Sequence, residues 1–284
     1  MPGKSRWSSL EPRIVADRSF QFLRVLAHQL HWLMLALVLE VCSIASATTI
    51  VALAIDKKTI LIGADGIVIG QSKATGNPNE RVPFCKVRCV GHSCFAASGR
   101  YDNDTIRYDL FKMGERELRR NIPPEMALNH LRKKVLQIMP RLLLVSRQET
   151  PLAYSRWLEG RPVIAFLFCG FDAYGIPTIV NWQVRLNSSG EVIREEGQSK
   201  RGGEEQVRGT VLGWSENIAA YMTQTPEWAQ HARTDPIKTV RDLIEIEISA
   251  SETAGRRDVG EPICIVTLTA EGFHLDAPDA CKAQ

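Results

Sequence analysis

The chain has 284 residues, of which 44% are hydrophobic and 24% charged. This is the make-up of an ordinary globular protein and excludes a mostly disordered tail or a fibrous repeat. The formal net charge of +3 is small for the length, and 35 Lys and Arg are interspersed among 32 Asp and Glu, so no electrostatic footprint for nucleic acid is present and no nucleic-acid partner is expected.

Residues 1–47 do not read like the rest. An uninterrupted apolar run at 32–39 lies between the basic Arg13, Arg18 and Arg24 and the small Ala45 and Ala47. That is the layout of a secretory signal peptide with a small-x-small cleavage pattern just before Thr48. The run is broken by Glu40 and falls well short of the roughly 20 residues needed to span a bilayer, so no stable membrane span is expected. Cleavage after Ala47 makes Thr48 the new N-terminus and implies a secreted or periplasmic protein. The alternative is an uncleaved amphipathic leader or an over-long start on a cytoplasmic chain.

From Thr48 onward, the β-branched run at 48–55, the turn Asp56-Lys57-Lys58 and the run at 59–65 predict a hairpin that begins at the cleavage point. A polar loop at 70–83 precedes two short strands at 84–90 and 93–97, closed by Ser98-Gly99. Two helices follow. One covers 102–119; the other opens at Pro123-Pro124 and sets Leu128, Leu131, Val135, Ile138 and Leu142 at helical spacing. Strands at 163–169 and 177–186, around a turn at 170–175, predict a second hairpin that ends at Ser189-Gly190. A charged loop at 195–205 leads to a short element around Gly213-Trp214-Ser215 and a helix. Asp235-Pro236 then caps another helix with Ile237, Val240, Ile244 and Ile248 on one face, and a strand pair at 262–275 closes the chain. No linker divides 48–284, so this stretch reads as one α+β domain with two sheets between helical layers.

With the leader removed, the cysteines are Cys85, Cys89, Cys94, Cys169, Cys264 and Cys281. An even number in a secreted chain allows disulfides, although buried, inert thiols are the default expectation. Cys85 and Cys89, read in one strand, stand about 13 Å apart and are too distant to bridge. No Cys-x-x-Cys pair exists and the histidines lack ligand spacing, so no metal and no redox cofactor is expected. Asn103-Asp104-Thr105 and Asn187-Ser188-Ser189 match the glycosylation acceptor pattern.

The opening Thr48-Thr49-Ile50-Val51, the Gly63-Ala64-Asp65 that ends the second strand, Lys86-Val87, and Ser98-Gly99 resemble the proteasome β-type subunits, which are N-terminal nucleophile (Ntn) hydrolases. The resemblance continues through Gly170-Phe171-Asp172 with Gly175-Ile176-Pro177, Gly213-Trp214-Ser215 before a helix, and Glu271-Gly272, and so covers essentially all of 48–284. It implies the family's four-layer αββα sandwich, amide hydrolysis without metal or organic cofactor, and a homo-oligomer. Family rings wall off their active sites; a smaller oligomer or none also suits a secreted chain.

A threonine hydroxyl is a weak nucleophile near neutral pH and needs a base. A free α-amine, with a reference pKa of about 7.7–8.0, supplies one, whereas an amide nitrogen does not. Removal of the leader therefore lets Thr48 act both as nucleophile, through Oγ, and, through its own amine and a water, as proton acceptor. The resemblance implies that Lys86 lies beside this nucleophile, lowering the pKa of the amine and stabilising developing negative charge, with Asp65 holding the lysine. On the residues alone, the same pair reads as a cross-strand salt bridge on a half-exposed sheet. Gly99 matches the family's backbone donor to the oxyanion, or is a turn glycine. Ser215 matches the serine that supports the terminal amine, or is a helix N-cap. Asp258, in Arg257-Asp258-Val259-Gly260, matches the family's late aspartate near the nucleophile.

The chain departs from the family at several points. The serine expected three residues after Asp258 is Glu261, and Trp214 and Glu216 alter the surroundings of Ser215. The loop between Asp65 and Lys86 is long, and the first hairpin carries one extra residue, which leaves Thr48 and Thr49 as rival nucleophiles; the cleavage pattern favours Thr48. Small Ala97, near the family's primary specificity pocket, predicts a roomy pocket. The expected activity is a threonine-type endopeptidase that forms an acyl-enzyme on Thr48 from a peptide substrate, its leader cut by signal peptidase or by the chain itself. The alternatives are a non-catalytic proteasome-like assembly subunit whose leader stays on, and an Ntn amidase acting on a small amide.

Overall fold

The computed structural model describes residues 48–70, 80–197, 199–203, 206–213, 215–256, 259–277 and 281. The expectations placed on 1–47, and those on Trp214 and Asp258, lie outside the described residues.

Two unbroken apolar runs form the centre of one sheet. β1 (Thr49–Ala54) and β2 (Ile60–Asp65) are buried at every position. The two-residue period of a strand sends Ile50, Ala52 and Ala54 into one apolar cluster and Val51 and Leu53 into another. Both faces are covered, which is why these strands read as continuous rather than alternating apolar sequence. β13 (Arg208–Gly213) pairs with β1, β14 (Ile263–Thr269) with β2, and β15 (Gly272–Ala277) with β14, all antiparallel, in the order β13-β1-β2-β14-β15.

The second sheet takes β5 (Val87–Val90), β6 (Ser93–Gly99), β9 (Ile164–Phe171), β10 (Pro177–Leu186) and β11 (Val192–Glu196) in the order β11-β10-β9-β6-β5, with β12 (Lys200–Arg201) also on β10. One of its faces packs Phe95, Phe166, Phe168 and Trp182 against α1 (Leu110–Leu118), α2 (Pro124–Glu149) and α3 (Pro151–Leu158). Its other face shares a cluster of mostly small side chains, among them Ala96, Ala165 and Leu167, with Ile50, Ala52, Ile62 and Ala64 of the first sheet. α4 (Glu216–Gln224), α5 (Trp228–Thr234) and α6 (Pro236–Thr253) complete the chain, and α6 lays Val240, Leu243, Ile244 and Ile248 on the first sheet. The protein is thus of mixed α+β class with antiparallel sheets. Among the described residues, no helix is long and apolar enough to cross a membrane.

β10 spans the predicted 177–186, Pro124 opens α2, and Asp235 Oδ1 caps α6 by accepting from the Lys238 amide at 3.2 Å. Three expectations need correction. The helix foreseen over 102–119 starts only at Leu110, because Asp109 turns its carboxylate onto the Lys112 amide at 2.9 Å; the residues before it form a small ribbon, β7 (Asp102–Asn103) against β8 (Tyr108–Asp109). The loop foreseen at 70–83 joins paired ends, β3 (Ile67–Gly70) and β4 (Glu80–Pro83). Ile237, in the first turn of α6, is 38% exposed, and Leu243 faces the sheet in its stead.

Candidate active site

Asp65 closes β2 opposite Ile263 of β14 and is fully buried. A carboxylate left alone there would carry a large desolvation cost. Both of its oxygens are engaged: Lys86 Nζ donates to Oδ2 at 2.8 Å and the Thr49 amide donates to Oδ1 at 2.7 Å. Lys86 is itself only 1% exposed. It comes not from a strand but from the connection between β4 and β5, since residues 84–86 leave the ladder that the sequence suggested for 84–90. The pair is therefore not a cross-strand bridge on a half-exposed sheet; the chain wraps it completely. Burial pushes the Asp65 carboxyl above its ordinary range, while the charge and hydrogen bond of Lys86 and the amides of Thr49 and Ile67 pull it down.

The bond from the Thr49 amide places the doubled threonine. Thr49 belongs to β1, pairs with Gly213 across the ladder and spends its amide on Asp65. Thr48 is the residue just before the strand, 1% exposed. Its nitrogen is an amide in the 284-residue chain and is the atom that a cut after Ala47 would free. Gly213 has φ +83°, and a Cβ there would strike the Thr48 carbonyl and crowd Ser98 Oγ. Only glycine lets the end of β13 come this close. Thr48, Gly213 and Ser98 thus converge, joining β1 and β13 of one sheet to the end of β6 in the other. Gly99, the next residue, is the last of β6, opposite Ile164, with φ +89°; a side chain there would run into the Val163 carbonyl. It is a strand-end glycine rather than a turn glycine. Ser98 and Gly213 were quoted in the sequence only as parts of motifs. The signal that could have singled them out is a serine or glycine at the very end of a strand, Ser98 before the terminal Gly99 of β6 and Gly213 closing β13.

Ser215 occupies the N-cap position of α4, but its hydroxyl makes no capping bond. Glu247 of α6 supplies the cap, its Oε1 accepting from the Asn217 and Ile218 amides at 2.8 and 3.2 Å. The N-cap expectation holds for the position and fails for the bond, because the Glu247 side chain already takes the amides that the hydroxyl would cap. Asp258 lies outside the described residues. Its neighbours Val259 and Gly260 run beside the end of β2: the Gly66 amide donates to the Gly260 carbonyl at 3.2 Å, and Arg81 Nη2 to that of Val259 at 3.3 Å. Glu261, which stands where the family's serine was expected, turns Oε2 to the Ile263 amide at 2.9 Å. Ala97, beside which a roomy pocket was expected, lies in packed surroundings among the described residues. It is 1% exposed, in a cluster against which the rings of Phe84 and Tyr101 pack, stacked at 5.4 Å.

The default of buried, inert thiols holds for Cys169 and fails for Cys89 and Cys94. Cys89 and Cys94 face each other across β5 and β6 and are bridged, a pairing legible in a spacing centred on the two-residue turn Gly91-His92. Cys281 lies beside both Cys85 and Cys264, with Cα–Cα distances of 4.8 and 6.4 Å, and its sulfur can bridge one of them; Cys169 is free and buried. Asn103 is also buried, its amide donating to Glu149 Oε2 at 3.0 Å, unlike an accessible glycosylation acceptor. Among the described residues, the cysteine trio Cys85, Cys264 and Cys281 is the group that could hold a metal ion, and no predicted site residue belongs to it. Set against models of known protein families and against curated proteins, the sequence matches none.

Proposed function

We propose that the chain is a threonine-type Ntn amide hydrolase, a peptidase that acts after cleavage between Ala47 and Thr48. The observation that carries this reading is the enclosed Asp65 carboxylate, which divides its two oxygens between the Lys86 ammonium and the amide of Thr49. A cation buried at the start of β1 is where an attacking threonine and a developing anion would gain most from it, because the surroundings are dry. The order of the apolar clusters, α1 to α3 on the second sheet, that sheet on the first, and α6 on the outer face of the first, supports the four-layer αββα arrangement.

In the proposed reaction the freed Thr48 amine, through a water, takes the Oγ proton as Oγ attacks the amide carbonyl of the substrate. The Gly99 N–H steadies the resulting oxyanion. The amine side of the substrate leaves with the proton, and water then hydrolyses the Thr48 ester and regenerates the hydroxyl. Lys86, held by Asp65, lowers the pKa of the terminal amine so that more of it is neutral and basic near pH 7. Ser215, its hydroxyl unused in capping, is placed with the amine in this scheme, and Asp258 with the late cluster. Secretion and a homo-oligomer belong to the same proposal.

Intact-mass and N-terminal sequencing of purified protein, followed by labelling with a peptide epoxyketone, tests it. The expected result is a chain that starts at Thr48 and takes up one label, lost in Thr48→Ala and retained in Thr49→Ala. Active material that still carries its leader would overturn the reading. Glu261, spent on a local backbone bond in place of the family's serine, favours a second reading: an assembly subunit with the same fold, an uncut leader and no label.

A further inference from the structure

We infer that Arg88 is a positioning residue, whose guanidinium holds the bend that turns Lys86 out of the second sheet and onto Asp65. Val87 begins β5, and Arg88 lies opposite Phe95 of β6, on the sheet face where Phe111 of α1 packs. Side chains two apart in a strand share a face, so a β5 continued backwards would aim Lys86 at the same helix. Its Nζ lies instead 2.8 Å from Asp65 Oδ2, at the end of a strand of the other sheet.

Two backbone contacts hold that turn. Arg88 Nη1 donates to the Cys85 carbonyl and, at 3.2 Å, to the Val87 carbonyl. Carbonyls two residues apart in an extended strand stand about 7 Å from each other. One nitrogen reaches both only where the chain between them is drawn up, and the residue between them is Lys86. The Cys85 carbonyl lies before the first ladder pair, Val87 with Ala96, and the guanidinium gives this group of a buried residue a partner. On the other side of the lysine, the Phe84 amide donates at 2.8 Å to the carbonyl of Gly66, the residue after Asp65.

The guanidinium is in turn fixed from the helical layer. Arg88 Nε donates to Glu115 Oε1 of α1 at 3.1 Å, and the guanidinium carbon lies 5.2 and 5.1 Å from the ring centres of Phe84 and Phe111. Ring faces suit a planar, weakly hydrated cation, and its rigid fork serves a carboxylate and two carbonyls at once, which the compact ammonium of a lysine does not. Glu115 of α1 is thereby linked through Arg88 to Lys86 and Asp65. The grip on Lys86 is a property of the fold; its consequence for the reaction rests on the hydrolase reading.

The test treats the native full chain with N-hydroxysuccinimidyl acetate and follows acetylation of Lys86 against that of the exposed Lys112 by peptide mass spectrometry. Lys86 is 1% exposed and should be protected in the wild type. In Arg88→Ala its acetylation is expected to approach the rate of Lys112, and millimolar ethylguanidinium, the fragment removed, to restore protection where ethylammonium does not. Glu117→Gln, which loosens α1 without touching Arg88, controls for lost stability and should leave Lys86 protected. Should Arg88→Ala fail to fold, Arg88→Met, which keeps the stem against the rings and lacks the donors, decides in its place. Epoxyketone labelling of the same variant should show its rising pH limb moved up by about one unit, toward the ordinary α-amine value of about 7.7–8.0, as the terminal amine loses its nearby cation. Lys86 still protected in the folded variant, acetylation that rises as much in Glu117→Gln, or a labelled protein whose pH limb does not move would each overturn the inference. Exposure of Lys86 in the Arg88 variant together with a wild-type chain that takes no label would uphold the positioning role and overturn the hydrolase reading, so the two fail separately.

Discussion

Glu117 on α1 and Asp65 at the end of β2 are both shut off from water, and both meet cations. Around Glu117 the partners reach in from the surface: Lys134 at 2.5 Å, Arg120 at 3.2 Å and His130 at 3.3 Å, with side chains 41%, 51% and 38% exposed. Around Asp65 the cation, Lys86, is itself enclosed, and the second oxygen is given to a backbone amide. The first arrangement pins α1 to α2 while Lys134 and Arg120 stay about half exposed to water. The second removes both charges from water, an expensive way to hold a sheet together, since apolar residues of similar volume stabilise as well or better. Its position beside the doubled threonine is what makes that expense intelligible as a site rather than a strut.

The comparison can be broken most directly at Lys86. Lys86→Ala leaves Asp65 buried without its cation and is expected to cost about 3–5 kcal/mol of stability, measured by urea unfolding, and to abolish epoxyketone labelling. The paired change Lys86→Met with Asp65→Asn sharpens it: most of the stability should return and none of the labelling. Recovery of both would show the pair to be structural only. Glu117→Gln, which keeps an acceptor but removes the charge, is expected to lose about 1–3 kcal/mol with labelling per folded molecule unchanged. A loss of labelling there would erase the distinction between the two carboxylates.

The smallest expected effect is on pH dependence. Burial raises the Asp65 carboxyl above its ordinary value of 3.8, so the folded protein binds more protons than the unfolded chain between the two values. The contribution of this group to stability therefore declines as pH rises through that window and is level above it. Protonation also releases Lys86, so the acid limb of activity should lie above pH 3.8. A limb at or below that value would show the carboxyl to be better solvated than its burial implies.

Much of the fold could be read residue by residue. The apolar runs at 48–55 and 59–65, the Pro123-Pro124 start and the Asp235-Pro236 cap act through neighbours a few positions away, and the structure places β1, β2, α2 and α6 on them. Local chemistry also misled. Residues 102–109 carry no strong helix breaker, yet the chain spends them on a ribbon, and Ile237 keeps the helical period while facing water. At the candidate site, Thr48, Asp65, Lys86, Gly99 and Ser215 were singled out through short motifs, whereas the roles of Ser98 and Gly213 were not, because nothing about either residue alone shows what approaches it.

The sequence by itself determined the strands within 48–55 and 59–65 and the starts of α2 and α6, since propensity, capping and apolar period are carried by residues close together in the chain. Only the tertiary structure decided that Lys86 and Asp65, 21 positions apart, close on each other away from water. It alone brought Thr48, just before β1, against Gly213 of β13 and Ser98 of β6, and set Cys281 beside Cys85 and Cys264, 196 and 17 positions away. Those meetings depend on the order in which strands lie within and across the two sheets, and strand order is set by the summed packing of the whole chain rather than by any local pattern.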